Sequence, residues 1–301
     1  TCTFDAVEHV FSNNNVLSLN YDADIVRNSA LPDRDVYIID TNTDTVDEIV
    51  EGVGTLLYGV AVDTEHNLYV AQADARNDAN GRAGTQKHGL AELENRAFLN
   101  QITAVDCSSG SCALPSRIEL EPLLPDNPAP GTALATPFAL KVSDDNTTLI
   151  GTAASSNRLF VFDLESGSVT GRVSVGEVPR GLAIENNAQG RAVKAWTLNV
   201  AANSVSVVDL ADPVNPVLTN TIELNDPTSQ VIKEGRIAFN AADASSTGTF
   251  SCESCHSDGH TDQLLWVLET PVCDVDGCTQ IPPRLTMPIR GLRDTQPYHW
   301  D

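Results

Sequence analysis

The sequence is poor in positive charge and in long apolar runs. It has 18 Lys and Arg residues against 41 Asp and Glu, so the formal net charge is −23. So acidic a surface repels nucleic acid and anionic lipid, which excludes the usual nucleic-acid binders. No apolar run is long enough to cross a bilayer as a helix. The excess of acidic over basic residues favours a solvated acidic surface or positively charged partners.

Methionine is scarce as well, and the chain does not begin with one. Thr1 opens the sequence without a leader, so we expect that a signal peptide has been removed or that the sequence is a fragment. Asp301 ends it without a polar tail or a helix stop. We therefore expect further sequence beyond at least that end.

The spacing of the seven cysteines divides them into candidate pairs and one that is left over. Cys107 and Cys112 enclose turn-forming residues, as do Cys273 and Cys278, and each pair predicts a small disulfide-closed loop in an oxidising compartment. Metal binding is the alternative, but zinc ribbons have two-residue gaps and a second pair of ligands. Cys2 is left over, and we expect it to pair with a missing segment or with another chain.

A repeated pattern of short strands runs from about residue 30 to 250. An alternating apolar segment ends in Asp and is followed by a polar turn, in four copies at residues 36–40, 102–106, 159–163 and 205–209. A second apolar patch follows each copy, at 58–62, 138–142, 181–184 and 236–239. A third apolar segment ends each of the first three units, at 68–71, 149–152 and 193–198. Period-two alternation predicts strands throughout.

Repetition of the whole unit predicts a β-propeller over residues 1–245, with at least four recognisable blades. The step from Asp163 to Asp209 is 46 residues, near the period of roughly 40–50 residues that is typical of a blade. A β-sandwich is the alternative, because alternation alone suits both folds. The units resemble the YVTN-type β-propeller family, whose strands read V-I-D, G-V-A-V and L-Y-V-A.

The repeat stops at Cys252-Glu-Ser-Cys255-His256. The pattern C-x-x-C-H is the attachment signature of c-type haem, in which two thiols bind the ring and the histidine ligates the iron. A redox C-x-x-C or a zinc half-site is the alternative, but the first is typical of a βαβ setting and the second needs another pair. The sequence therefore predicts one covalent haem c, held by Cys252 and Cys255 with His256 as proximal ligand.

The residues around this motif resemble a haem domain of the bacterial di-haem cytochrome c peroxidase/MauG superfamily. Residues 235–240 are similar to its G-x-x-L-F helix and residues 245–256 to its L-S-x-x-G-x-x-S-C-x-S-C-H segment. Residues 284–294 are similar to its T-P-x-L-R-N segment and residues 297–301 to its F-W-D-G segment. The resemblance implies a small, mainly helical or irregular cytochrome c-like domain at 246–301, incomplete at its C-terminus. His299 stands where many members have an aromatic residue, and a second C-x-x-C-H is absent.

The far side of the iron has several candidate ligands. His299 would give bis-histidine ligation, Met287 would raise the potential, and an open or exogenous sixth site is the third alternative. His260 follows His256 by four residues and would lie on the proximal side if the stretch is helical.

Four further residues are candidates for the haem pocket. Arg290 and Arg293 have the geometry to pair with propionates, although a solvated face is the alternative. Trp266 and Trp300 are expected to pack on the macrocycle.

Together these features predict an exported c-type cytochrome, periplasmic or extracellular, that passes single electrons to a redox partner protein such as another cytochrome. Three alternatives remain. They are a peroxidase- or MauG-like enzyme with its second haem in missing sequence or a partner chain, a propeller dehydrogenase or oxidase that drains electrons through haem, and a subunit of an extracellular haem-bearing assembly.

Overall fold

The computed structural model describes residues 34–79, 89–266 and 284–292. Its architecture is mainly β, as predicted, with several four-stranded sheets. The strands are β1 Val36–Asp40, β2 Thr45–Val50, β3 Leu56–Val62, β4 Leu68–Ala75, β5 Phe98–Val105, β6 Ser116–Glu119, β7 Pro137–Val142, β8 Thr148–Ala153, β9 Arg158–Asp163, β10 Ser168–Ser174, β11 Pro179–Asn186, β12 Ala192–Asn199, β13 Ser204–Asp209, β14 Val217–Glu223, β15 Leu265–Trp266 and β16 Arg284–Leu285.

Helices are few in this part of the chain. The α-helices are α1 Gln230–Asn240 and α2 Cys252–Cys255. Short 3-10 helices lie at Asn77–Ala79, Gly89–Leu93, Ala154–Ser156, Ala242–Ala244 and Ser257–Gly259. Within the described residues, no helix has the length and apolar character that a membrane span requires.

Three sheets have the strand order of propeller blades. Blade A is β3–β6, blade B is β7–β10 and blade C is β11–β14, and in each the strands follow one another in chain order. The pairings that the structure describes within them are antiparallel. Such four-stranded meanders are the repeating unit of β-propellers.

The strand predicted at 36–40 is present as β1, and among the described residues it pairs with β2 alone, in a two-stranded sheet rather than a four-stranded blade. The predicted repeat is wrong at its C-terminal end. Residues 236–239, predicted as a strand, lie in helix α1. The apolar run there is short, and a run of that length fits a strand or a helix equally well. The helix agrees with the G-x-x-L-F helix that the haem-domain resemblance implies at 235–240.

The Asp that ends each repeat closes the next turn. Its carboxylate accepts a hydrogen bond from a backbone N–H two or three residues later, which leads the chain into the outer strand. These bonds, 2.7–2.9 Å long, join Asp40 to Asn42, Asp106 to Ser108, Asp163 to Ser166 and Asp209 to Ala211.

Successive sheets are joined by apolar clusters. Val36 and Ile38 of β1 pack with blade A, blades A and B share a second cluster that includes Phe160, and Ile150 lies in a third between blades B and C. The innermost strands β3 and β7 lie side by side. Gly59 makes this approach possible, because a Cβ there would be 2.2 Å from the main-chain oxygen of Phe138.

The chain divides into two compact units. One comprises Arg34–Asp74 and Leu99–Cys252, and the other comprises the described residues of Ala75–Phe98 and of the chain from Glu253 onward. Residues 246–252 therefore belong with the sheets, whereas the predicted boundary falls after residue 245. The two predicted domains themselves stay a prediction.

Candidate haem-attachment site

The two cysteines of the motif lie on the single turn of helix α2. Residues three apart in a helix are neighbours on one face, so both sulfur-bearing side chains project to the same side. Cys252 is exposed and Cys255 is half-buried. The turn therefore presents two thiol positions to one face, as attachment of a ring at two points requires.

Helix α2 ends at Cys255, and the chain then turns sharply. Asp258 has φ +52° and Gly259 has φ +75°. Because residues 256–260 do not continue the helix, His260 does not lie one helical turn below His256. The main-chain N–H of Asp262 donates a 2.9 Å bond back to the carbonyl of Cys255, which closes the loop.

A second segment, residues 284–290, runs alongside this loop, and we call it the strap. Leu285 pairs with Leu265 in the two-stranded sheet β15–β16. The hydroxyl of Thr261 donates a 2.6 Å hydrogen bond to the main-chain oxygen of Thr286. Further along, the N–H of Ile289 donates to the carbonyl of Gly259 at 3.0 Å. The strap is therefore fixed along its length to the loop that follows the motif.

The strap also sets the orientation of the motif histidine. His256 Nδ1 lies 2.8 Å from the main-chain oxygen of Met287. A carbonyl only accepts hydrogen bonds, so Nδ1 must carry the proton. In the neutral imidazole Nε2 then holds a free lone pair, which is the form that binds a metal.

Trp266 and Asp262 form a buried pair near the motif. Trp266 is 3% exposed and packs against Phe98 at a ring separation of 5.3 Å. Its indole N–H donates a 2.9 Å bond to the Asp262 carboxylate. Burial raises the pKa of Asp262, against the lowering effects of the Leu264 N–H, Trp266 and nearby His256. Packing of Trp266 on a macrocycle stays a prediction.

Arg290, the last residue of the strap, is exposed and donates hydrogen bonds to the loop that follows the motif. Its Nε and Nη2 donate to the main-chain oxygen of Asp258 at 2.9 and 2.6 Å. Its pairing with a propionate stays a prediction. The other predicted site residues lie outside the described residues: Cys2, Cys273, Cys278, Arg293, His299 and Trp300.

The segment that enters the motif is anchored by buried polar groups of the blades. Asn100 Nδ2 donates to the main-chain oxygen of Thr249 at 2.9 Å, and its Oδ1 accepts from the N–H of Thr136 at 2.9 Å. The hydroxyls of Ser155 and Ser251 lie 3.2 Å apart. Sequence reasoning missed Asn100; its signal is a polar pair, Asn100-Gln101, inside an apolar strand.

The predicted disulfide between Cys107 and Cys112 is present, with a Cα–Cα distance of 4.0 Å. The N–H of Cys112 donates to both carboxylate oxygens of Glu48 in β2, at 3.0 and 3.1 Å. Among the described residues, no group of three or more His, Cys, Asp or Glu side chains is placed to hold a metal ion.

A polar cleft of about 280 Å³ lies beside the start of α1. Its only described ion pair joins Lys233 to Asp226 at 3.4 Å, and Lys233 also donates to the carbonyl of Ala202. No residue of the predicted haem site lines this cleft. Ligand sites are usually apolar with few polar groups, and this polar cleft does not fit that description.

Comparisons with known proteins place the chain in no family. No family model matches it, and no curated protein matches it. Hydrazine synthase from Kuenenia stuttgartiensis is 15% identical, with 58% of this chain and 51% of that chain covered and a TM-score of 0.45. A putative 6-phosphogluconolactonase from Bacteroides fragilis is 14% identical, with 64% and 51% covered and a TM-score of 0.41.

A functionally unknown protein from Desulfotomaculum acetoxidans is 13% identical, with 60% and 46% covered and a TM-score of 0.38. The chain thus spans about half the length of each of these structures. Similarities this distant carry no argument about function, which depends on the site itself.

Proposed function

We propose that this chain is an exported c-type cytochrome that passes single electrons through one haem, held covalently by Cys252 and Cys255 with His256 as proximal ligand. When bound, haem supplies a one-electron iron couple. The protein's own residues tether, orient and cover it. The observation that carries the proposal is the hydrogen bond from His256 Nδ1 to Met287.

That bond gives the imidazole the properties of an iron ligand. It holds the tautomer with Nε2 unprotonated, and it restricts rotation of the ring about its side-chain bonds. A zinc half-site or a redox C-x-x-C does not need the following histidine to be oriented in this way. The donor set and its orientation therefore fit haem.

The same bond argues against Met287 as the sixth ligand. Nδ1 and Nε2 lie at opposite edges of the imidazole, so a main chain bonded to Nδ1 is on the side away from a metal at Nε2. Cys252, Cys255 and His256 Nε2 would hold haem, and a sixth ligand would come from a residue placed away from Nδ1. The Met287 side chain starts from main chain that is bonded to Nδ1, so we infer that His299 or an exogenous ligand would take this place.

Exposed apolar side chains on the strap support a bound macrocycle. Met287 is 65% exposed and Leu285 is 42% exposed. Large contiguous apolar patches usually mark a binding site, and these two side chains would contribute to one. On the strap beside His256, these two would lose contact with water against a large planar ring.

Export and partner choice follow from sulfur chemistry and charge. The Cys107–Cys112 disulfide is typical of an oxidising compartment, which supports the proposal that the protein is periplasmic or extracellular. A net charge of −23 steers a basic redox partner, such as a cationic cytochrome, toward this surface.

Expression of the full chain with a c-type maturation system tests the attachment. We expect one haem per chain that survives denaturation, measured by its mass and by the pyridine haemochrome spectrum. Cys252→Ala and Cys255→Ala should each leave one thioether bond, with a shifted haemochrome band, and the double variant should leave none.

The matched control is the variant Cys107→Ser with Cys112→Ser, which should keep full attachment. A wild-type chain that matures without covalent haem, or that binds zinc through Cys252 and Cys255 instead, would refute the proposal. Retention of covalent haem by the double variant would refute the assignment of these two cysteines.

Axial ligation is tested separately by optical and electron paramagnetic spectra. Met287→Leu should leave both spectra unchanged, because its carbonyl stays in place. Loss of a thioether–iron band in this variant would overturn the argument from the His256 hydrogen bond. His299→Ala should convert a low-spin to a high-spin spectrum if His299 is the sixth ligand. A high-spin wild type would instead favour peroxide chemistry.

A further inference from the structure

The series of sheets β1–β2, A, B and C ends in two apolar faces that no described sheet covers. Within the series, blades A and B each pack one face on the sheet before and the other on the sheet after. The repeat makes the positions comparable, because Asp40, Asp163 and Asp209 end equivalent strands. Residues counted back from these aspartates are therefore equivalent.

One uncovered face is on blade C, and we call it the trailing face. In blade B, Ile150, Leu159 and Val161 are at most 1% exposed, because they pack against blade C. Val161 pairs with Ile150 across the sheet, as Val207 pairs with Trp196. The register equivalents in blade C are Trp196, Val205 and Val207.

These equivalents are only partly buried. Leu198 and Ile222 extend the same face and are 41% and 46% exposed. Apart from Lys194, whose ammonium lies 5.7 Å from the Trp196 ring centre, the trailing face is apolar at positions that are buried between blades B and C, and no described sheet covers it.

The other uncovered face is on β1–β2, and we call it the leading face. Counted back from Asp163, Phe162 and Phe160 are buried against blade A. Their equivalents before Asp40 are Ile39 and Tyr37, which are 56% and 48% exposed. Val46, which pairs with Ile39 on β2, extends this face.

We propose that a second copy of this chain covers these faces, with the trailing face of one copy on the leading face of the next. Every interface inside the series joins a trailing face to a leading face, and the described residues leave one example of each uncovered. The contact continues the existing stack and buries aliphatic and aromatic area on both sides. Because the two faces differ, the association is heterologous.

The net charge of −23 opposes this association. Like charge on two copies raises the free energy of the pair, and added salt screens it. We therefore expect the fraction of associated chains to rise with ionic strength, the reverse of an association held by ion pairs.

Sedimentation of the full chain across a dilution series tests the proposal. The wild type should form species of at least twice the monomer mass at high concentration. Trp196→Glu and Ile39→Glu should each abolish them, and Leu198→Glu is a second trailing-face variant in case Trp196→Glu does not fold. Leu114→Glu, at a leucine 92% exposed after the disulfide loop, adds the same charge elsewhere and should leave association unchanged.

Mixing the two monomeric variants gives the sharpest result. Trp196→Glu keeps an intact leading face and Ile39→Glu an intact trailing face, so an equimolar mixture should form a one-to-one dimer and nothing larger. A wild type that stays monomeric would mean that other residues of the same chain cover the faces, and it would overturn the proposal. A mixture that stays monomeric, or a dimer broken by only one of the two variants, would also overturn it.

Discussion

The hydroxyl of Thr261 donates a 2.6 Å hydrogen bond to the main-chain oxygen of Thr286, and so fastens the strap to the loop after the motif. Thr261→Val keeps the shape of the side chain and removes the donor. We expect a loss of about 1 kcal/mol in the free energy of unfolding, because one partly buried bond is broken. Urea unfolding followed by circular dichroism measures it.

The matched control for this variant is Thr219→Val in blade C, whose hydroxyl donates to the main-chain oxygen of Val207 at 3.1 Å. If the strap orients His256 as we propose, Thr261→Val shifts the midpoint potential of the matured protein, and Thr219→Val leaves it unchanged. Equal potentials in both variants would mean that the strap has only a structural role.

The Cys107–Cys112 disulfide should contribute about 2 kcal/mol to stability, because it closes a short loop and so removes little entropy from the unfolded chain. Replacing both cysteines with serine should lower the free energy of unfolding by that amount. A thiol reductant should lower the wild-type free energy of unfolding equally and have no effect on the double variant. A reductant effect that persists in the double variant would place the sensitive bond elsewhere.

Asp163 should make the fold sensitive to acid. Hydrogen bonds from the backbone N–H and the hydroxyl of Ser166 lower its pKa. The folded pKa lies below the unfolded one, so the stabilisation is present above the unfolded value of about 3.9 and is lost as the pH falls through the folded pKa. Asp163→Asn keeps a hydrogen-bond acceptor but has no charge. In this variant we expect the free energy of unfolding to fall less steeply as the pH is lowered.

Asp144→Asn is the control for Asp163→Asn, since it removes an exposed charge from another turn of blade B. Urea midpoints measured from neutral pH down to about pH 3 compare the two variants. An equally shallow fall in both variants would show that general charge repulsion, rather than the Asp163 turn, limits acid stability.

Asn100 should be among the most sensitive positions in the blades. It is 1% exposed, and Asn100→Asp replaces the donor to Thr249 and Glu121 with a second carboxylate oxygen. We expect a loss of about 3 kcal/mol, since buried acceptors lose their partner and two carboxylates are brought together. Asn220→Asp on the exposed strand β14 is the control and should change stability little. A comparable loss in both variants would contradict the network.

Gly59 should not tolerate a side chain. Gly59→Ala places a methyl group against the main chain of Phe138, which has to move, so we expect a loss of about 2 kcal/mol. Gly235→Ala in helix α1 meets no atom within 4 Å. It should stabilise the protein by about 0.5 to 1 kcal/mol through helix propensity. Thermal unfolding of the two variants should move in opposite directions.

Local features of the structure were predictable from the sequence. The apolar run at residues 159–162, which ends in Asp163 and a turn, predicts the buried strand β9, and the spacing of Cys107 and Cys112 predicts their disulfide. Residues 236–239 were misread as a strand, because a short apolar run has no distinct period.

The contacts of the site were not predictable in the same way. His256 and Met287 are 31 residues apart, and Asn100 and Thr249 are 149 apart. Pairings of this kind depend on how sheets and loops assemble, and a single sequence carries no local pattern for them.

The bond between Asn100 and Thr249 has a consequence for the order of events during folding. It closes a loop of 149 residues and needs strand β5 and the start of blade B already in place. Contacts of such long range form late, after local hairpins. If haem is attached as proposed, Cys252 would be open to a maturation enzyme until assembly of the blades fixes residue 249 on Asn100.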